Sequence, residues 1–400
     1  MIITAKKLIC GKDTTVLTNG GLLIEGEKIT AVGRAEDLRQ NFPHQENIDY
    51  GDATILPGLI DMHIHLGIYE HEPDKALFTP HLVAYLALNN AERQLAKGVT
   101  TLRDAYSPDA VCRQLALAAK KGWVRVPRII HCNQALTISG GIDWQYDGTV
   151  QVDGPEEIRK AVRRQFLAGA LWIKVMGHNR IPGVCDFDQE ELNTVVGESH
   201  RRGFKAMAHA TIQPALQMCI DAGFDTIEHG SHLTIAQGRQ MKEKGVAWVP
   251  TIYIHKAIYE NLRAKIGSEN DLSDLTERER QTLELYSQAL ASYKNNLKPL
   301  YDTGAIMLAG TDCVMDGMED ITVAWELACM VEFGLTPLEA IGTATVNAAR
   351  VLGLDGAIGE LSVGAYGDIL VVKGDATQDI HALKQVKDVY QAGKRIHCTP

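Results

Sequence analysis

The sequence predicts an α/β chain: a (β/α)8 TIM-like barrel over residues 57–357, joined to a small β-sandwich domain formed from residues 1–56 and 358–400. Three observations predict it. The middle of the chain alternates short apolar runs with helical stretches, the pattern of a parallel sheet with crossover helices. Eight such units can be counted, the number that closes a barrel. Both ends are instead rich in short strands and tight turns, so they are expected to pair with each other beside the barrel.

In chain order, the first segment reads as Leu22–Glu25, then Lys28–Val32 after the Gly26-Glu27 turn, then Ala53–Leu56 before Pro57-Gly58. The barrel strands are expected at 59–66, 99–104, 127–132, 171–176, 204–209, 225–229, 246–250 and 305–311. Helices are expected at 80–97, 109–121, 155–168, 188–202 with Asp188 as cap, and 337–352 after Thr336. Residues 272–303 form a polar, helix-rich insertion before the eighth strand. Its charge run Glu277-Arg-Glu-Arg280 reads as a solvated helix face, on a rim where insertions also serve as lids. The β texture resumes in 367–374, 387–390 and 391–396.

With 400 residues, 45% hydrophobic and 22% charged, the chain can bury one large domain and a small companion. A net charge of −10 argues against a nucleic-acid or anionic-membrane partner, which would want a clustered basic face. The N-terminal run Met1–Cys10 lacks a basic region followed by a long apolar core and a small-residue cleavage site, and no apolar stretch approaches membrane-span length. The eight cysteines (10, 112, 132, 185, 219, 313, 329 and 398) show no Cys-x-x-Cys spacing. Reduced thiols in a cytoplasmic protein are the expectation.

His63 and His65 sit among Leu59, Ile60, Met62, Ile64 and Leu66. In an extended strand residues i and i+2 point the same way, so the two imidazoles form a forked nitrogen donor of metal-chelating geometry. Four further apolar runs end on a side chain that can bind a metal: Lys174 in Leu171–Met176, His209 in Phe204–His209, His229 in Phe224–Gly230 and Asp312 in Ile306–Asp312. A parallel barrel gathers the C-terminal ends of its strands into one mouth, where such enzymes place their chemistry.

These donors, with Leu136-Thr-Ile-Ser-Gly-Gly141, Ile173-Lys-Val175, His209-Ala210, Ile227-Glu-His-Gly230 and Ala309-Gly-Thr-Asp312, make the chain resemble the amidohydrolase superfamily in its binuclear-metal form. Within it the chain is similar to the prolidase-like and imidazolonepropionase-like branch. The resemblance implies two divalent ions, zinc being the expected metal, with His63, His65 and Asp312 on the inner ion and His209 and His229 on the outer. Lys174 would bridge them as a CO2-derived carbamate, since burial favours the neutral amine that adds carbon dioxide. It also implies a metal-bridging hydroxide as nucleophile and Asp312 as the catalytic proton acceptor.

The implied activity is hydrolysis of an amide C–N bond in a small molecule such as a dipeptide or N-acyl amino acid. The alternative is hydrolysis of cyclic amides or ring amidines, as in imidazolonepropionase. A metal-free, inactive relative is a third reading, which the complete donor set opposes. Substrate contacts are expected from His131 and His232 on the rim and from Arg180 as a carboxylate clamp, with Trp144 and Tyr253 more important for a cyclic substrate. Two departures bear on this. Dipeptide-cleaving relatives carry His after the Gly-Gly pair where this chain has Ile142, and the loop Gly177–Gly183 is poorer in Gly and Ser than theirs. The expected partner is a small molecule, with no nucleic acid and no membrane; a homo-oligomer stays open.

Overall fold

The computed structural model describes residues 1–11, 15–68, 79–143, 148–178, 184–266, 272–313 and 321–396. The chain divides into two compact units, one of residues 1–133, 308–331 and 335–400, the other of residues 134–307 and 332–334.

In the first unit both chain ends build one mixed sheet of eight strands. Its order is Lys394–Ile396, Val386–Gln391, Ile369–Lys373, Ala53–Pro57, Ile2–Ile9, Val16–Glu25 and Lys28–Arg34, with Asn47–Asp49 also paired to Ile2–Ile9. Alternation sets its two faces. Ile3, Leu8, Leu22, Ile55, Ile369 and Val371 fill one core, while Ile2 and Leu23 face the other way and pack with Leu38 of the helix Ala35–Asn41.

The same unit holds a parallel sheet of Leu59–Ile64, Val99–Asp104 and Arg128–His131. Every residue of the first two strands is buried, as expected where both faces of a parallel sheet are covered. The helices Pro80–Ala96 and Val111–Lys120 are the crossovers. Thr79 caps the first of them by accepting from the Leu82 N–H, and Pro80 stands in its first turn, where no N–H is needed.

The expected helix 337–352 is two helices, Pro337–Thr343 and Val346–Leu352. The break falls where the Ala344 carbonyl accepts instead from the Ile60 N–H at 2.8 Å, so the helix gives up a bond to anchor the strand. The expected strand at 305–311 is not continuous either. Ala309 exchanges single bonds, accepting from Met62 and donating to Thr343, and the next residue is a glycine.

The second unit has a parallel sheet in the order Thr149–Gln151, Ala135–Thr137, Trp172–Met176, Lys205–Ala210, Thr226–His229 and Ala247–Val249. The first two strands are three residues each, too short to show a period in the sequence. The helices Gly154–Leu167, Gln189–His200, Ala215–Ala222, Ile235–Lys244 and Ile252–Lys265 alternate with the longer strands or follow them. Asp188 with Glu191 and Thr234 with Gln237 form reciprocal capping boxes at two of these starts. The segment 272–303 is a short 3-10 turn and the helix Glu277–Asp302, opened by a Thr276–Glu279 capping box. Among the described residues no helix is long and apolar enough to cross a membrane.

Candidate active site

Both units carry side chains of the types that can ligate a metal at or just after the C-terminal ends of parallel strands. In the first, His63 lies on the buried strand Leu59–Ile64, and His65 follows it by one residue. Their rings stand edge to face with centroids 5.2 Å apart. The Nδ1 of His65 is 3.1 Å from the carbonyl oxygen of Tyr106. A carbonyl only accepts, so Nδ1 carries a proton and a neutral His65 presents the lone pair of Nε2. That Nε2 is 3.1 Å from Asp312 Oδ1, and His63 Nε2 is 3.4 Å from the same oxygen. At this distance Nε2 and the carboxylate oxygen share either a proton or a cation. Two imidazoles and a carboxylate are a donor set that fits a divalent ion.

Asp312 is brought there by its backbone. Its φ of +50° is left-handed, and its N–H donates to the His63 carbonyl at 2.7 Å. Asp61, two residues before His63, holds the approach: it accepts from the His63 N–H at 3.0 Å, the Thr311 N–H at 3.1 Å and the Thr311 hydroxyl at 2.7 Å. Full burial pushes the Asp61 carboxyl up to about 7, against the pull of these bonds. Asp61→Ala would strand these buried donors at about 1–3 kcal/mol each, so a destabilisation of at least about 3 kcal/mol is expected. Chemical denaturation of the metal-free protein measures it. A loss under about 1 kcal/mol would show that the Thr311 turn holds itself.

In the second unit Lys174, 1% exposed, lies inside the strand Trp172–Met176, every residue of which is buried. His209 stands in register with Met176, so it shares the strand face on which Lys174 lies. His229 needs a further device. Its predecessor Glu228 is the partner of His209, so in a regular strand His229 would face away. It takes φ +68° instead, and its ring lies with its centroid 4.5 Å from that of His209. A left-handed non-glycine residue costs about 1–2 kcal/mol, so something must hold it.

The His229 carbonyl accepts from Trp248 Nε1 at 2.7 Å and from the Tyr293 hydroxyl at 3.1 Å, while its Nδ1 is 2.8 Å from the Thr251 hydroxyl. Gly230 is required beside it: at φ +60° a Cβ would come within 2.6 Å of Trp248 Nε1. Next to His209, the ring of His178 is fully buried, and its Nε2 accepts from the Thr211 N–H at 2.9 Å. This ties the loop after Lys174 to the end of the strand that carries His209. Thr251→Val would remove the hydroxyl that meets His229 Nδ1, and with His229 as a metal ligand, partners of this kind contribute about 10–100-fold in metal affinity. Competition with a chelator reads that loss; unchanged affinity would mean that the backbone alone orients the ring.

Of the residues expected to meet substrate, His131 ends the strand Arg128–His131 and is buried, and that burial pulls its imidazole below the usual range. His232 is half-buried, its N–H donating to the Thr211 carbonyl, and burial lowers it too. Tyr253 lies half-buried in the first turn of Ile252–Lys265. Trp144 and Arg180 lie outside the described residues. Sequence reasoning passed over Asp61, Tyr106, Trp248, Thr251 and Tyr293. Asp61 left a signal, an acid inside a run of strand-forming apolar residues; the others act across long sequence separations that no local pattern reports.

The Amidohydrolase family model matches residues 54–396. This chain belongs to the amidohydrolase family. A second model, the imidazolonepropionase-like composite domain of bacteria, matches residues 20–44. Ochratoxinase of Aspergillus niger is 27% identical over 98% of this chain and 86% of its own length. Among solved structures, a Xaa-Pro dipeptidase with bound methionine in its active site superposes with a TM-score of 0.86 at 26% identity, covering 99% of both chains. A prolidase complexed with N-methylphosphonate-L-proline gives 0.84 at 26% identity, again over 99% of both. The amidohydrolase fold of these neighbours is the α/β barrel expected from the sequence, with a mixed sheet from the termini. Like its relatives, this amidohydrolase cleaves carbon–nitrogen bonds in small molecules, and its family works with divalent metals.

Proposed function

We propose that this amidohydrolase hydrolyses an amide bond of a dipeptide or N-acyl amino acid and holds two zinc ions. His63, His65 and Asp312 would bind the inner ion, His209 and His229 the outer one, and Lys174 would bridge them after adding carbon dioxide. In that addition the neutral amine forms an N–C bond and loses a proton. The observation that carries the reading is the convergence of His63 Nε2 and His65 Nε2 on one oxygen of Asp312, at 3.4 and 3.1 Å. When bound, the ions bring the pKa of water down toward about 7 and polarise the amide carbonyl.

The remaining chemistry belongs to the chain's own groups. The Asp312 side chain is 20% exposed, while those of His63 and His65 are 1% and 4% exposed. The carboxylate is thus the donor of this trio that reaches open space, suited to take a proton from the attacking water and pass it to the leaving nitrogen. The His65 proton is held on Nδ1 by Tyr106, which keeps Nε2 as the ligand atom. Residues 57–357 would form the barrel, and residues 1–56 and 358–400, whose strands share one mixed sheet, would form the separate sheet domain. The described cysteines form no disulfide, in keeping with a reducing, cytoplasmic setting.

A second reading, a hydrolase of cyclic amides or ring amidines, is favoured by the imidazolonepropionase-like match at 20–44. A screen of the metal-loaded enzyme against dipeptides, N-acyl amino acids and cyclic amides separates the two. The first reading expects turnover of the carboxylate-bearing open-chain amides. It also expects Arg180→Met to raise KM about 10- to 100-fold with kcat spared, as for loss of a charged contact. Activity confined to ring substrates, with damage from Tyr253→Ala or Trp144→Ala instead, would move the assignment. Metal analysis should return two divalent ions per chain, and one or none would end the binuclear reading.

A further inference from the structure

The helix Glu277–Asp302 reaches from the insertion into the support of a metal ligand. Tyr293, 1% exposed, stands on it with its ring stacked on His255 at 5.7 Å between centroids and on Trp248 at 6.2 Å. Its hydroxyl lies 2.8 Å from the Pro250 carbonyl and 3.1 Å from the His229 carbonyl. A phenol has one proton, so these two carbonyls share it.

Those carbonyls mark the two corners that aim the His229 ring. One is the backbone of His229 itself, at φ +68°. The other immediately precedes Thr251, whose φ is +50° and whose hydroxyl meets His229 Nδ1 at 2.8 Å. Both are left-handed, uncommon for any non-glycine residue and a true outlier for a β-branched threonine. Trp248 Nε1 braces the first corner only. The Tyr293 hydroxyl is placed to hold both and to keep their spacing.

We propose that Tyr293 is a positioning residue for the outer metal: through two backbone carbonyls it fixes the His229 imidazole and its Thr251 partner in the ligating orientation. The insertion is then a strut of the site. This rests on the assignment of His229 as a metal ligand.

The test compares wild type, Tyr293→Phe and His229→Asn, each as the full chain loaded with Co(II). Three quantities are followed: the cobalt absorption spectrum, release of metal to a chelator, and the melting temperature of the metal-free protein. Tyr293→Phe keeps the ring stack and removes only the hydroxyl. It is expected to melt near wild type when metal-free, to show altered cobalt bands, and to lose one ion about tenfold faster, the low end for outer-shell partners. It should also lower kcat while leaving KM unchanged. Wild-type cobalt bands and release from Tyr293→Phe would overturn the proposal, and so would a lowered metal-free melting temperature with unaltered bands, which marks a packing role alone. His229→Asn reports on the parent assignment: two ions retained at wild-type affinity in that variant would mean that His229 is no ligand.

Discussion

Asp312→Asn is expected to lower kcat by about 10² to 10⁴, the usual contribution of a positioned acid–base group. The change is nearly isosteric and keeps one oxygen on the side chain, so the left-handed turn and its N–H bond to His63 should survive. What disappears is the carboxylate proposed as the proton acceptor. The amide also places a donor where His63 and His65 Nε2 now face a carboxylate oxygen at 3.4 and 3.1 Å, so the inner ion should bind more weakly as well. Measuring kcat at saturating metal separates the two effects. A variant that still turns over at nearly the wild-type rate would show that another group carries the proton.

His63→Ala and His209→Ala should act through the metal instead. Each removes a nitrogen donor whose loss no neighbouring side chain of the same strand can replace, so at most one ion per chain should remain after dialysis. Activity should fall by about 10³ or more, with partial recovery in added metal. The melting temperature offers an independent check. An ion held at a thousandfold above its Kd stabilises the fold by about 4 kcal/mol, so each variant should lose the metal-induced rise in melting temperature and keep the metal-free value of wild type. Full metal content in either variant would remove that histidine from the ligand set.

How much of this was legible in the sequence depended on the range of the interaction. His63 and His65 were readable because strand alternation is local, and the Asp188 and Thr336 helix starts were readable because their caps lie three residues away. The 305–311 strand and the single helix at 337–352 looked regular because their hydrophobic patterns are. The helix is broken where the Ile60 N–H takes the Ala344 carbonyl, and 305–311 makes only isolated bonds to its neighbours, from Met62 to Ala309 and from Trp248 to Ile306. The left-handed turns at His229 and Asp312 were invisible for a related reason: no composition signal marks a non-glycine residue that tertiary bonds force into that region. Assigning those two as ligands required the family resemblance, whereas the pattern of residues had only placed them at strand ends.

The strand Ala53–Pro57 lies between Ile2–Ile9 and Ile369–Lys373 and is paired along both edges. On the ribosome the second edge must wait, because its partner emerges more than three hundred residues later. At about 5–20 residues per second that is a delay of roughly 15–60 s, during which a hydrophobic strand, Ala-Thr-Ile-Leu-Pro, presents an open edge. The N-terminal strands of this enzyme are therefore expected to pass through an aggregation-prone intermediate with that edge open. Slowing translation before Ile369, or ending the chain there, should send the product into aggregates even though every proposed metal ligand has already been made.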